Sequence, residues 1–336
     1  MDWKKLLNIL RGHRVFIQTH NFPDPDAIAC AFGMQKFLKY HGIETIICYN
    51  GSVDKISVIR MLDNFKIQMF PYDELDIDEK DYVLLVDGQK YSANLTDIPG
   101  DEVACIDHHP TVKPCDYLYQ DIRMVGACAS MVAEYFYESK TPIDEKTASA
   151  LMYGIRMDTA SFGRGVKLLD IQMFEYLFQY AKVPLVDRMV NDNIELADLR
   201  AYGAAIENIQ IYGYTGIAYI PFDCEDALIA MISDFILRLD TVTVSVVYAE
   251  KNGGLKFSVR SEEENVHAGN LIHSALEGYG DGGGHSAMAG GYIPGASRTT
   301  EKAAENKLIC QRFIDALKKF HTPVDEIGAV CYIKQV

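Results

Sequence analysis

Short apolar runs alternate with amphipathic stretches through the first half of the chain. Residues 14–19 (RVFIQT), 45–49 (TIICY), 82–86 (YVLLV) and 103–106 (VACI) are runs mostly too short for helices. Residues 26–40, 127–138, 145–157 and 171–181 carry apolar side chains at helical spacing, and His41-Gly42 closes the first of them like a glycine C-cap. Unbroken apolar strands separated by helices predict a parallel sheet covered on both faces, a doubly wound α/β domain over residues 1–185. Between about 184 and 210 the sequence turns polar and helical, which predicts a linker helix over 186–210. Beyond it, residues 211–220, 241–248 and 255–259 read as strands, with helices at 266–277 and 300–319 and a glycine-rich turn at 278–284. A smaller α+β domain with a mixed sheet is therefore expected over 211–336.

Composition narrows the class. A chain of 336 residues exceeds one ordinary compact core, and 49% apolar with 24% charged residues is the balance of a globular enzyme. No apolar run reaches the roughly 18–20 residues that span a bilayer, so no membrane partner is expected. The opening MDWKKLLNILRGHR has too short an apolar stretch for a secretory signal. Eight cysteines (30, 48, 105, 115, 128, 224, 310 and 331) form no CxxC pair and read as thiols of a reducing, cytoplasmic compartment. A net charge of −15 argues against a broad basic coat for nucleic acid. It leaves room for a small phosphorylated substrate, because divalent cations can supply positive charge at the site itself.

Acidic and histidine residues gather where the apolar runs end. In open α/β sheets ligands bind in the crevice at the carboxyl ends of the strands. The first strand runs into His20 and then N-F-P-D-P-D, with Asp24 and Asp26 entering a helix. Either carboxylate alone reads as a helix N-cap, but one cap needs one side chain. The run LLVDG puts Asp87 after a strand, where Asp-Gly alone is an ordinary turn. VACIDHHP puts Asp107, His108 and His109 at the equivalent place on another strand, and Asp158 closes the helix from 145.

Electrostatics decides between the joint readings. Converging Asp24, Asp26, Asp87 and Asp158 would cost on the order of 4 kcal/mol per like-charge pair at 4 Å and an effective dielectric near 20. Lys90 and Arg156 are too few to neutralise them. Divalent cations are the natural counter-charge: mixed Asp/His ligation suits Mn²⁺, with Mg²⁺ or Co²⁺ as substitutes. So many ligands fit two ions sharing a bridging Asp, an arrangement suited to in-line attack on phosphorus. In the second domain Arg260 and Ser261 end a strand, and the run GYGDGGGHS ends in His285. Glycine N–H groups can form an anion nest, and Arg260 offers a bidentate phosphate contact. The bland alternative is a flexible hairpin turn. His13, His41, His267, His273 and His321 read as ordinary surface or helix residues.

These residues carry a resemblance. His20-x3-Asp24-x-Asp26, the strand-terminal Asp87, Asp107-His108-His109 and Gly154-x3-Asp158-Thr159 resemble the four motifs of the DHH phosphoesterases. Arg260-Ser261 through Gly282-Gly283-Gly284-His285 resembles the DHH-associated C-terminal domain. Size and domain content look most like the oligoribonuclease (nano-RNase) and pAp phosphatase group. The resemblance implies that His20, Asp24 and Asp87 hold one Mn²⁺, and that Asp26, Asp87, His108 and Asp158 hold the other. His109 would contact the scissile phosphate or the attacking water, and Asp107 would orient the histidine pair. Arg260, Ser261, Gly282, Gly283, Gly284 and His285 would grip the nucleotide. Asp281 departs from the family's usual four glycines, and Phe162-Gly163-Arg164-Gly165 differs from common members, with Arg164 an extra candidate phosphate contact.

The expected activity is metal-dependent hydrolysis of short oligoribonucleotides or pAp through two-metal activation of water. Linear or cyclic dinucleotides come next, then pyrophosphate or polyphosphate. A non-catalytic nucleotide sensor would have lost ligands, and none is lost here. A tRNA-editing-like module would lack the complete N-terminal half. The expected partner is a short RNA or small nucleotide, and a homodimer is compatible with this reading.

Overall fold

A computed structural model describes residues 2–111, 113–191, 194–295 and 302–320, of which 302–304 are described as backbone only. His321 and Cys331 lie outside these residues. The chain divides into two compact units, Met1–Asn193 and Ile194–Val336.

The first unit contains β1 (Val15–Gln18), β2 (Thr45–Tyr49), β3 (Phe70–Pro71), β4 (Tyr82–Val86), β5 (Asp101–Asp107) and β6 (Tyr119–Ile122). Its helices are α1 (Trp3–Leu10), α2 (Pro25–Tyr40), α3 (Ile56–Phe65), α4 (Cys128–Ser139), α5 (Glu145–Asp158), α6 (Leu168–Phe178) and α7 (Val183–Asn191). All strand pairs are parallel, in the order β3-β2-β1-β4-β5-β6. The short edge strands β3 and β6 and the helices α1 and α3 were not legible as patterns. β1 is buried at every position, which is why its sequence shows no period-two alternation. Val15, Ile17, Leu84 and Val86 face the helical core, whereas Phe16, Val83 and Leu85 face a smaller cluster closed by Leu75, Ile77, Leu95 and Ile98. The strand order reverses between β1 and β4, the switch point where open α/β sheets bind ligands.

The second unit has α8 (Leu199–Asn208), β7 (Gln210–Tyr212), β8 (Thr215–Asp223), α9 (Asp226–Ile236), β9 (Val244–Lys251), β10 (Gly254–Ser261), α10 (Ala268–Leu276), β11 (Asp281–Gly284), β12 (Met288–Ile293) and α11 (Lys302–Lys319). Its sheet runs β11-β12-β10-β9-β8-β7, mixed because β8 and β9 pair in parallel around α9. Helices α10 and α11 cover one face and α8 and α9 the other.

Two expectations are corrected. The single linker helix over 186–210 is two helices, α7 and α8, with a 3-10 turn at Leu196–Asp198. Val186 and Met189 bury in the first core, and Ala201 and Ala205 in the second, so each helix follows its own core. The glycine-rich turn at 278–284 includes an edge strand, β11, paired antiparallel with β12. Glycine serves close packing there: a Cβ on Gly269 of α10 would lie 2.4 Å from the Gly284 carbonyl oxygen.

Candidate metal centre

Asp87 follows β4 directly and is 2% exposed. Its backbone is left-handed, φ +55°, which Asp tolerates better than most side chains. The Asp87 N–H donates to the Ile106 carbonyl at the end of β5 (2.9 Å), so the turn is tied to the strand that carries Asp107. Asp87 Oδ1 is buried and accepts no hydrogen bond among the described residues.

Three imidazoles face that carboxylate. His20 Nε2 lies 3.7 Å from Asp87 Oδ2, His108 Nε2 3.3 Å from Oδ1 and His109 Nδ1 3.7 Å from Oδ1. His20 Nδ1 is 2.9 Å from the Asn21 carbonyl, and His108 Nδ1 is 3.0 Å from that of Val125. A carbonyl only accepts, so each Nδ1 carries the hydrogen and each Nε2 is left to act as a ligand. His109 differs: its Nδ1 faces Asp107 Oδ1 at 2.9 Å, and the half-exposed ring leaves Nε2 for a ligand or substrate.

Asp24 caps its helix and also faces His20. Its Oδ1 caps α2, accepting from the N–H groups of Asp26 (2.9 Å) and Ala27 (3.0 Å), and lies 3.8 Å from His20 Nε2. Asp26 instead caps a different helix: its carboxylate accepts from Cys128 N (2.7 Å) and Ala129 N (3.0 Å) at the start of α4. Asp158 ends α5 and places Oδ2 3.4 Å from His108 Nε2. Gly154, one turn earlier, permits the approach of α2, because a Cβ there would meet Asp26 Oδ1 at 2.9 Å and Ala29 at 2.8 Å.

Candidate ligand atoms thus fall into three groups, each within 4.8 Å: His20–Asp24–Asp87, Asp26–His108–Asp158 and Asp87–His108–His109. The other five residues read as metal ligands from the sequence come together around Asp87. Burial and the neighbouring Asp87 and Asp158 push the Asp26 carboxyl well above the usual carboxylate range, and burial likewise raises Asp158. Burial opposes charge on His20 and His108, but Asp24 and Asp87 lift His20 to about 9, and Asp87 and Asp26 lift His108 to about 10. The cluster therefore holds protons where cations fit. An orphaned carboxylate oxygen, paired Nε2 atoms and an all O/N donor set suit hard or borderline divalent cations.

Lys90 and Arg156 do not neutralise the carboxylates. Lys90 pairs with Glu102 and Arg156 with Asp187. Arg164 does reach the site, donating to the Asp158 carbonyl at 2.8 Å.

Two positioning residues escaped the motif reading. Gln89 is buried, and its Nε2 donates to Asp107 Oδ2 (2.6 Å) and to the His109 carbonyl (3.0 Å). Although burial opposes it, bonding to His109 and Gln89 holds Asp107 below the usual carboxylate range, so Asp107 stays an acceptor. Asp170, fully buried, accepts from Gly126 N, Ala127 N, Ser130 Oγ and Lys167 N. It thereby fixes the segment whose Val125 carbonyl sets the His108 tautomer. Gln89 had a faint signal, lying two residues past a strand-terminal Asp; Asp170 looks like any first-turn carboxylate. A cavity of about 320 Å³ opens beside His109, walled by Gly88, Ser92, Asn94, Asp107 and Pro110.

In the second unit, Arg260 and Met288 are paired across β10 and β12, and His285 N donates to the Met288 carbonyl at 2.8 Å. Arg260 and His285 thus share one end of the sheet. Arg260 Nε is held by Asp234 Oδ1 at 2.6 Å. Ser261 is nearly buried, and its hydroxyl accepts from Glu263 N (3.3 Å). Gly282, Gly283 and Gly284 lie in β11. His267 caps α10, its Nδ1 accepting from Asn270 N (3.3 Å).

Comparison with known proteins assigns these two units. Residues 14–155 match the DHH family N-terminal domain and residues 213–319 match the DHHA1 domain. The chain thus carries a DHH N-terminal domain and a DHHA1 domain. It is 25% identical over 299 residues to an uncharacterized protein of Methanocaldococcus jannaschii, covering 88% of this chain and 61% of that one. It is 26% identical over 316 residues to the cyclic-di-AMP phosphodiesterase GdpP of Bacillus subtilis, covering 86% of this chain and 46% of that one. The chain thus spans roughly half the length of the curated relatives it matches. An exopolyphosphatase-related protein from Bacteroides fragilis shares the fold, with a TM-score of 0.71, 19% identity and coverage of 95% of this chain and 96% of that one. Among the described residues no helix is long and apolar enough to cross a membrane.

Proposed function

We propose that the chain is a metal-dependent phosphoesterase that hydrolyses a phosphodiester or phosphomonoester at the end of a very short nucleotide, with short oligoribonucleotides and pAp as substrates. One observation carries the reading: five other candidate Asp and His ligands gather around Asp87, whose buried Oδ1 has no hydrogen-bond partner among the described residues. His20, Asp24 and Asp87 would hold one Mn²⁺, and Asp26, Asp87, His108 and Asp158 the other, with Asp87 shared. When bound, the two cations supply Lewis acidity and activate water for in-line displacement at phosphorus. His109 presents its outward Nε2 to the phosphate while Asp107 holds Nδ1. Arg260, Ser261, His285 and the backbone of Gly282, Gly283 and Gly284 bind the nucleotide through the DHHA1 domain.

The resemblance to GdpP, a cyclic-di-AMP phosphodiesterase by name, favours linear or cyclic dinucleotides as the second reading. The deciding experiment incubates the full chain with Mn²⁺ and, separately, two- to five-nucleotide RNAs, pAp, cyclic dinucleotides and pyrophosphate. Hydrolysis of none of them, with stoichiometric metal binding, would replace the enzyme with a nucleotide sensor.

A further inference from the structure

Phe22 is 58% exposed on the loop between β1 and α2, two residues from both His20 and Asp24. Two residues span at most about 7 Å, so its Cα lies at the rim of the Asp87 centre. Its backbone is left-handed, φ +53°, a conformation costly for a bulky aromatic. Hydrogen bonds hold it there: Phe22 N donates to the Asn50 carbonyl (2.8 Å) and Asn21 N to that of Asn94 (2.7 Å). Thr96 N donates to Asn21 Oδ1 (3.1 Å), and Asn50 Nδ2 to Thr96 Oγ1 (2.8 Å). Loops following β1, β2 and β4 are thereby knitted together beneath one ring.

The ring rests on Gly51, itself at φ +93°, where a Cβ would come within 2.6–2.9 Å of ring carbons Cδ1, Cε1 and Cγ. One side is backed by main chain and much of the residue stays open. A ring this exposed adds little to the core. This one is strained, pinned and displayed beside the proposed reaction centre.

We propose that the Phe22 ring is the stacking platform for a nucleobase of the substrate, selecting nucleotides over phosphate compounds without a base. This rests on the phosphoesterase reading and adds its specificity element. Stacking on a pre-supported ring is tolerant of base identity, because every base has a π-face.

The test compares kcat/KM for a dinucleotide with kcat/KM for the same phosphodiester lacking its bases. In Phe22→Ala that ratio should fall about 5- to 150-fold, mostly through KM, and Phe22→Trp should restore it. Phe22→Gly removes the backbone strain, so it should melt no lower than the wild type and still lose the preference. Binding supplies a second readout: 2-aminopurine mononucleotide fluorescence should be quenched by the Mn²⁺-bound wild type and the Trp variant, but not by the Ala or Gly variants. An unchanged ratio with unchanged quenching overturns the proposal and leaves Phe22 as a contact for another protein. Phe22-dependent quenching without hydrolysis of either compound would overturn the phosphoesterase reading and leave the stack standing.

Discussion

Oδ1 of Asp87 lies 3.3 Å from Nε2 of His108, which in turn lies 3.4 Å from Oδ2 of Asp158, so one imidazole faces two carboxylates. Asp87→Asn keeps the left-handed backbone accessible, since Asn adopts it as readily as Asp, and removes only the charge. Turnover should fall by more than the roughly 10- to 100-fold typical of losing an outer partner, and Mn²⁺ stoichiometry or affinity should fall with it. Isothermal titration with Mn²⁺ and a melt of the variant separate this from unfolding. Full activity in Asp87→Asn would sink the shared-ligand role.

Gln89→Ala frees Asp107 to rotate and leaves His109 with an unanchored partner. We expect kcat/KM to drop roughly 10- to 100-fold at nearly unchanged Mn²⁺ affinity. Loss of Mn²⁺ binding instead would mean that Gln89 supports the ligands and not His109.

The pH dependence has a definite sign. His20 and His108 are raised to about 9 and 10, above the unperturbed 6.5, so their contribution to stability without metal is fully present below pH 6.5. It is lost as the pH climbs toward those raised values. Mn²⁺ must displace these protons, so its affinity runs the opposite way and strengthens with pH. Melting curves from pH 6 to 9 should show a Mn²⁺-induced Tm increment that grows with pH. A constant increment would contradict the assignment.

Asp170→Ala would strand the buried N–H groups of Gly126 and Ala127 and the hydroxyl of Ser130. Urea unfolding should show a loss of about 2–4 kcal/mol. A change below about 0.5 kcal/mol would show that the α4 entrance does not depend on it.

Arg260→Ala should mainly raise KM, by about 10- to 100-fold, as expected for a lost charge-assisted phosphate bond. A fall in kcat with KM unchanged would assign Arg260 to the transition state instead.

Strand-like runs at 14–19, 82–86 and 103–106, each followed directly by Asp or His, made both the parallel sheet and the Asp/His cluster legible. Strand burial and strand-end chemistry are local, and a run of four or five apolar residues records them directly. Tertiary structure decided what depends on a partner distant in sequence. Asp26 caps α4, 102 residues away; Asp170 holds the segment behind His108; Gln89 locks Asp107. Each of these is a single polar residue whose meaning lies in the backbone group it meets, and no periodicity marks that. The same reason hides β11, where glycine runs read as a turn until the close approach of α10 explains them. It hides Phe22 too, an unremarkable letter between His20 and Asp24 whose strain and exposure exist only once three loops are joined.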